Sequence, residues 1–332
     1  MDSFIFALNA VMPLILMVAL GYILKRVGMI KGEFAKAANK LVFRVFLPAT
    51  LFLNVYKIES AEDIEIGYVI YALVAVVSVF IIVAPITRLV TKQPRRRGVL
   101  LQSSFRSNFA LVGIALASAL FKERGVAAAA LLSAVIIPVY NVLGVISLAM
   151  FMGAESSIGN KERFKKMAMA LIKNPLIIST LLGLFCVLIR TPLAAGGVSF
   201  RLSNMTVVYK VLEYLSQMST PLALIVLGAQ FEFSQVGKMK REIISGAVIR
   251  SLLVPTLSLG ASYLFFGDSF APEHFAALVA MFGTPVAVST VPMIQEMDGD
   301  TALGGQLVVW TTILSTFTLV GASFFFRAVG VF

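Results

Sequence analysis

Apolar residues recur along this chain in ten runs of about 20 or more, separated by polar stretches that are mostly short. Runs of that length match helices crossing a hydrocarbon core about 30 Å thick. The pattern predicts spans at about 4 to 24, 37 to 56, 66 to 90, 99 to 121, 126 to 152, 168 to 190, 207 to 231, 243 to 266, 274 to 296 and 303 to 326. The longer polar stretch from Gly153 to Lys173 divides them five and five, whereas a connection such as Lys122 to Gly125 leaves room only for a tight turn.

The two halves share a signature. PLILMVALG at Pro13 to Gly21 and PLIISTLLG at Pro175 to Gly183, 162 positions later, hold proline, leucine, isoleucine, leucine and glycine at matching places. Pro48 and Glu59 around span two are 11 apart, as are Pro221 and Glu232 around span seven, and Pro85 and Pro255 fall in spans three and eight. A repeat with an odd number of spans must turn over in the bilayer, so the expected fold is an all-α integral membrane protein of ten helices in two inverted five-helix repeats. That is the plan of many secondary transporters. Residues 1–152 form the first repeat, 153–167 a cytoplasmic connector and 168–332 the second repeat.

Composition agrees with this pattern. The 332 residues are 59 % hydrophobic and 14 % charged, with a mean hydropathy of +0.92, well outside soluble globular usage. The first run is followed, not preceded, by Lys25 and Arg26, which argues for a retained span rather than a secretion signal. A net charge of +11 suggests nucleic acid until its distribution is considered. The loops after spans one, three, five and seven carry 17 Lys and Arg, against six on the other side together with the acidic clusters Glu59 to Glu65 and Asp268 to Glu273. Such a bias sets orientation: the basic loops are cytoplasmic, both termini are outside, and the partner is a lipid bilayer, not nucleic acid.

Spans four and nine are poor helices at mid-depth. Span four carries Arg106, Ser107, Asn108 and Gly113; span nine carries Gly283, Thr284, Pro285, Ser289, Thr290 and Pro292. Backbone interrupted at the midplane is tolerated where protein or a water-lined cavity satisfies it. The second half of an interrupted helix presents an amino end carrying roughly half a positive charge, and two such ends facing each other attract an anion. The candidate substrate-binding residues are Asn108, Gly113, Ala115, Tyr140, Asn141, Thr284, Pro285, Ser289 and Thr290, with Arg106 as the anion-attracting residue. Arg44 and Arg250 sit about two turns inside their spans and are expected to snorkel to the headgroups.

Several stretches together resemble the auxin efflux carrier family, which includes bacterial dicarboxylate permeases and plant auxin exporters. They are PLILMVALGYILKRVGMI in span one, NKLVFRVFLPATLF in span two, SNFALVGIA in span four, NPLIISTLLG in span six, TPLALIVLG in span seven and TPVAVSTVP in span nine. The resemblance implies a scaffold bundle of helices 1, 2, 6 and 7, a transport bundle of helices 3–5 and 8–10, crossed broken helices four and nine, an elevator-type motion and a homodimer paired through the scaffold. The family's span-four asparagine maps to Asn108 and its span-nine proline to Pro285. Where many members have Gly-Ile-Pro, this chain has Gly113, Ile114 and Ala115, which implies a milder first break or one held open by Gly113 alone.

All 17 acidic residues map to span ends or loops, the single histidine is His274 at the edge of span nine, and the single cysteine is Cys186 in span six. No proton relay, metal set, cofactor or catalytic nucleophile is evident, so an enzyme is not expected. The expected function is secondary active or facilitated transport of small organic anions, such as dicarboxylates or auxin-like acids, across the cytoplasmic membrane by alternating access. Sodium-coupled symport, with the ion held by crossover carbonyls and hydroxyls, is the alternative, followed by a channel or a non-transporting receptor.

Overall fold

Long apolar runs with few internal breakers form helices because only a helix satisfies every backbone group within its own segment. The computed structural model describes residues 2–57, 66–151, 165, 168–195 and 201–332. In chain order its main helices are α1 (Asp2–Arg26), α2 (Gly32–Tyr56), α3 (Ile66–Val90), α4 (Pro94–Phe105), α5 (Ile114–Ala149), α6 (Pro175–Ala195), α7 (Thr206–Gln230), α8 (Lys240–Phe266), α9 (Pro272–Gly283), α10 (Thr290–Glu296) and α11 (Thr301–Ala328). Among the described residues, α2, α3, α5, α7, α8 and α11 are each long and apolar enough to cross a membrane. The protein is therefore an all-helical, multi-pass membrane protein. The acidic stretch at 59–65 and, apart from Lys165, the connector 153–167 lie outside the described residues.

Helix α5 reverses direction at Phe121 and Lys122, the latter at φ 48°, in the short polar turn that the pattern predicts. Prolines leave traces in two other helices. Proline has no N–H, so the carbonyl four residues earlier loses its partner, and both Pro48 and Pro255 follow a π turn, Val42–Phe46 in α2 and Ile249–Leu253 in α8. In α8 the carbonyl freed by Pro255 belongs to Ser251, and the hydroxyl of Thr318 on α11 donates to it at 2.6 Å.

Close helix crossings depend on glycine. Gly21 of α1 lies where an added Cβ would meet the Ile225 carbonyl oxygen of α7 at 2.0 Å, and Gly228 of α7 faces the Val18 carbonyl oxygen of α1 at 1.9 Å. Gly183 of α6 similarly faces the Phe52 carbonyl oxygen of α2 at 3.0 Å. Glycine allows backbones to approach this closely where no hydrophobic force separates helix from lipid. The two glycines that end the matched PLI…LG stretches thus both sit at tight crossings, α1 on α7 and α6 on α2.

At one end of the molecule, Arg96 of α4 bridges Glu242 of α8 at 2.8 Å and Asp300 at 2.9 Å. Asp300 also caps α11 by accepting from the Leu303 N–H at 3.0 Å. Both carboxylates are largely enclosed, so removing the shared cation strands them. Arg96→Met is expected to cost on the order of 2 kcal/mol or more, read as a lowered thermal unfolding midpoint in detergent. A midpoint equal to wild type would show that the cluster contributes nothing. The pair of Lys25 with Glu232 at 3.4 Å is half exposed and adds little, although hydrogen bonds from Gln235 and Lys25 hold the Glu232 carboxyl below its usual range.

Candidate functional site

Helices α4 and α9 both stop inside the protein. Pro285 restricts the preceding residue to extended backbone, and Thr284 adopts φ −75°, ψ 156°. Opposite it, Arg106 is also extended, at φ −80°, ψ 98°. The two extended stretches pair antiparallel at Ser107 and Val286. The Asn108 N–H donates to the Pro285 carbonyl at 2.8 Å, and the Ala287 N–H donates to the Arg106 carbonyl at 3.1 Å. Thr311 of α11 accepts the Val286 N–H on its hydroxyl at 3.1 Å. A strand-like clasp, held by a third helix, thus supplies the hydrogen bonds that the missing helical turns would have made.

The break in span four falls at residues 106–108, before the π turn Phe109–Gly113, so Gly113 does not hold it open. A Cβ at Gly113 would lie 2.3 Å from the Phe109 ring and 3.2 Å from the Ala280 carbonyl; its smallness serves packing against α9. Ala115 is exposed and one residue into α5, and the Ala115 departure from the family pattern leaves the interruption intact.

Beside the clasp lies a cavity of about 540 Å³, within the range of small-molecule sites. One wall is the crossover and α5: Arg106, Ser107, Asn108, Tyr140, Asn141 and Ser289. The other wall comes from α1, α2 and α7, with Thr50, Asn54, Ser216, Gln217, Ser219 and Thr220 as its polar groups. Of the residues singled out from sequence, Arg106, Asn108, Tyr140, Asn141 and Ser289 therefore meet at one cavity. Thr284, Pro285 and Thr290 are buried behind it, where they shape the crossover: Thr290 donates its hydroxyl to the Ala287 carbonyl at 2.6 Å. The polar groups of α2 and α7 on this wall are less evident in the sequence, although Asn54 and Gln217 stand out as amides within apolar runs near Pro48 and Pro221.

Arg106 is the strongest charge at this cavity. It is 4 % exposed, and its Nη2 donates to Asn141 Oδ1 at 2.7 Å and to Ser289 Oγ at 3.2 Å, while Nη1 meets the Met293 sulfur at 3.1 Å. All three partners are neutral, and among the described residues no carboxylate pairs with it. Asn108, 5 % exposed, holds a side-chain nitrogen with no hydrogen-bond partner. Ser107 and Tyr140 place their hydroxyls 3.1 Å apart. The amino end of α10 contributes less than the sequence argument expects, because the N–H groups of Thr290 and Val291 turn back onto the Ala287 and Val288 carbonyls. The site's positive character rests mainly on a guanidinium.

Comparison with known proteins places this architecture. A family model described as a membrane transport protein matches residues 6–322. The chain belongs to the membrane transport protein family. This is the family of the auxin efflux carriers, which the span motifs resemble. An uncharacterized transporter of Methanothermobacter thermautotrophicus is 25 % identical over 322 residues, covering 94 % of this chain and 95 % of its own length. An uncharacterized transporter of Methanocaldococcus jannaschii is 26 % identical over 229 residues, 67 % of this chain and 68 % of its own. Membership of this family points to a transporter rather than an enzyme.

Arg250 departs from expectation. Instead of snorkelling it is wholly buried, because α8 turns that side chain inward onto the crossover carbonyls. Arg44 does reach the surface, where it pairs with Glu296 at 3.0 Å.

Proposed function

We propose that this family member carries small organic anions, carboxylates in the first place, by alternating access through the crossover cavity. The observation that carries the reading is Arg106: a nearly buried cation, bordering a cavity, with neutral partners only. A buried charge without a counter-ion is costly, and an incoming carboxylate lowers that cost through a forked, charge-assisted hydrogen bond. The unpartnered Asn108 amide and the hydroxyls of Ser107, Tyr140 and Ser289 add neutral groups that fix orientation.

A ten-span, inverted-repeat architecture is the frame for this reading. Its supports are the two interrupted helices meeting at a shared clasp and the matched glycines at corresponding crossings. On this plan α1, α2, α6 and α7 are the scaffold, and the crossover with its neighbours moves against it. The pairing of two copies implied by the family resemblance falls on the scaffold, and Ile178, Leu181 and Phe185 form an exposed stripe on α6 available to it in competition with lipid.

Outside the crossover cavity, α2 is tied to α7 and α10. Asn39 of α2 donates to Gln230 of α7 at 3.0 Å and to Gln295 of α10 at 2.8 Å, and Arg44 pairs with Glu296 beside them. These residues lie at the basic end of the spans, so by charge bias this tie is cytoplasmic, the cavity belongs to the outer half, and both termini are outside. Transport to the cytoplasmic side requires these contacts to break.

Thermal unfolding of purified protein against a panel of mono- and dicarboxylates tests the proposal. A ligand held at 100 times its Kd stabilises the native state by about 2.7 kcal/mol, so at least one carboxylate should raise the midpoint in a saturable way. A panel with no such member would remove the main support for an anion site.

A further inference from the structure

The same crossover holds a second cation that faces away from the cavity. The Arg250 Nε donates to the Thr284 carbonyl at 3.1 Å, and Nη2 donates to the carbonyls of Thr284 at 2.7 Å, Met281 at 3.1 Å and Phe282 at 3.1 Å. Nη1 reaches the Ser104 carbonyl at 3.4 Å. One guanidinium therefore gathers the carboxyl-terminal carbonyls of both α4 and α9. Among the described residues no carboxylate pairs with it; its counter-charge is the negative end of two helix dipoles. The hydroxyls of Thr284 and Ser251, one on an accepting residue and one next to Arg250 in the chain, are buried without partners.

Converging carbonyls at the carboxyl ends of half-helices are the setting in which interrupted-helix carriers hold a coupling cation. Here that setting is already filled. We propose that Arg250 is a resident counter-cation: a positioning residue that permanently occupies the crossover carbonyls, so that anion binding at Arg106 and the transport step need no sodium. The inference rests on the transport reading above and favours sodium-independent transport over the sodium-coupled symport that the sequence left as the alternative. Removing the side chain leaves an oxygen-lined void, with several carbonyls and the Thr284 and Ser251 hydroxyls freed, at a point of negative potential. Such a void suits a small free cation, so the variant should acquire a cation requirement that the wild type lacks.

The test compares wild type, Arg250→Ala and Arg250→Lys in sodium, potassium and choline chloride at equal ionic strength, by thermal unfolding and by counterflow in proteoliposomes. Wild-type counterflow should agree within about twofold across the three salts, with no sodium-specific rise in its unfolding midpoint. Arg250→Ala should run at least about tenfold slower in choline, recover in part with millimolar guanidinium or sodium, and show a matching rise in unfolding midpoint that tetramethylammonium does not produce. Arg250→Lys keeps the charge without the fork and should be slower yet still indifferent to sodium. Wild-type counterflow that collapses in choline overturns the proposal, as does a folded Arg250→Ala protein whose midpoint ignores both sodium and guanidinium. If Arg250→Ala cannot be purified, the wild-type and lysine salt series decide alone. The unfolding arm needs no substrate, so cation rescue without any anion transport would sink the transport reading and leave the resident cation standing.

Discussion

Replacing Arg106 by glutamine should raise the carboxylate concentration needed for half-maximal counterflow about 10- to 100-fold, the equivalent of losing a charged hydrogen bond worth about 1.5–3 kcal/mol. The clasp is made by the Asn108 and Ala287 N–H groups and the Thr311 hydroxyl, not by the Arg106 side chain, so it should survive the change. Arg106→Lys keeps a positive charge but not the planar fork and should fall between the two. The same variants should lose most of the carboxylate-induced rise in unfolding midpoint. Unchanged apparent affinity in Arg106→Gln would remove the guanidinium from the binding site and leave only neutral donors there.

Gly228→Ala should be among the most damaging single methyls at the α1–α7 crossing. Its Cβ would stand 1.9 Å from the Val18 carbonyl oxygen and 2.9 Å from the Tyr22 nitrogen, both backbone atoms that cannot swing aside. α1 and α7 would have to separate, which costs about 1–3 kcal/mol or more by overpacking alone. Because these helices line the cavity opposite Arg106, transport should fall with stability. Gly260→Ala in α8 is the control, since nothing lies within 4 Å of its would-be Cβ; there the better helix former should be neutral or stabilising by up to about 1 kcal/mol. Equal unfolding midpoints for both variants would mean that the α1–α7 crossing is looser than the geometry states.

Hydrophobic spacing alone made much of this fold legible. The all-helical character, the turn at Lys122 and both helix interruptions follow from where apolar runs end and where Pro285, Gly283 and the Arg106–Asn108 stretch oppose helix formation. Five of the residues proposed for the site meet at the cavity for the same reason: polar groups in apolar helices have few places to go except inward. What spacing does not reveal is which inward direction. Arg250 and Arg44 look alike in sequence, each about two turns inside a span, yet one turns onto crossover carbonyls and the other to the surface, because only the packing of α8 against α9 decides the difference. Gly113 is ambiguous in sequence for a related reason, since a glycine beside a break can serve the break or the neighbouring helix, and here the Phe109 ring and the Ala280 carbonyl claim the space. Asn54 and Gln217 reach the cavity from α2 and α7, a contact that depends on how those helices face the crossover.

Counterflow of a labelled carboxylate, chosen from the panel as the best stabiliser, into proteoliposomes preloaded with the unlabelled compound tests the central claim most directly. The account predicts saturable, transient accumulation that is strongly reduced by Arg106→Gln. A flux that neither saturates nor shows counterflow, or no flux at all with a ligand that demonstrably binds, would contradict it.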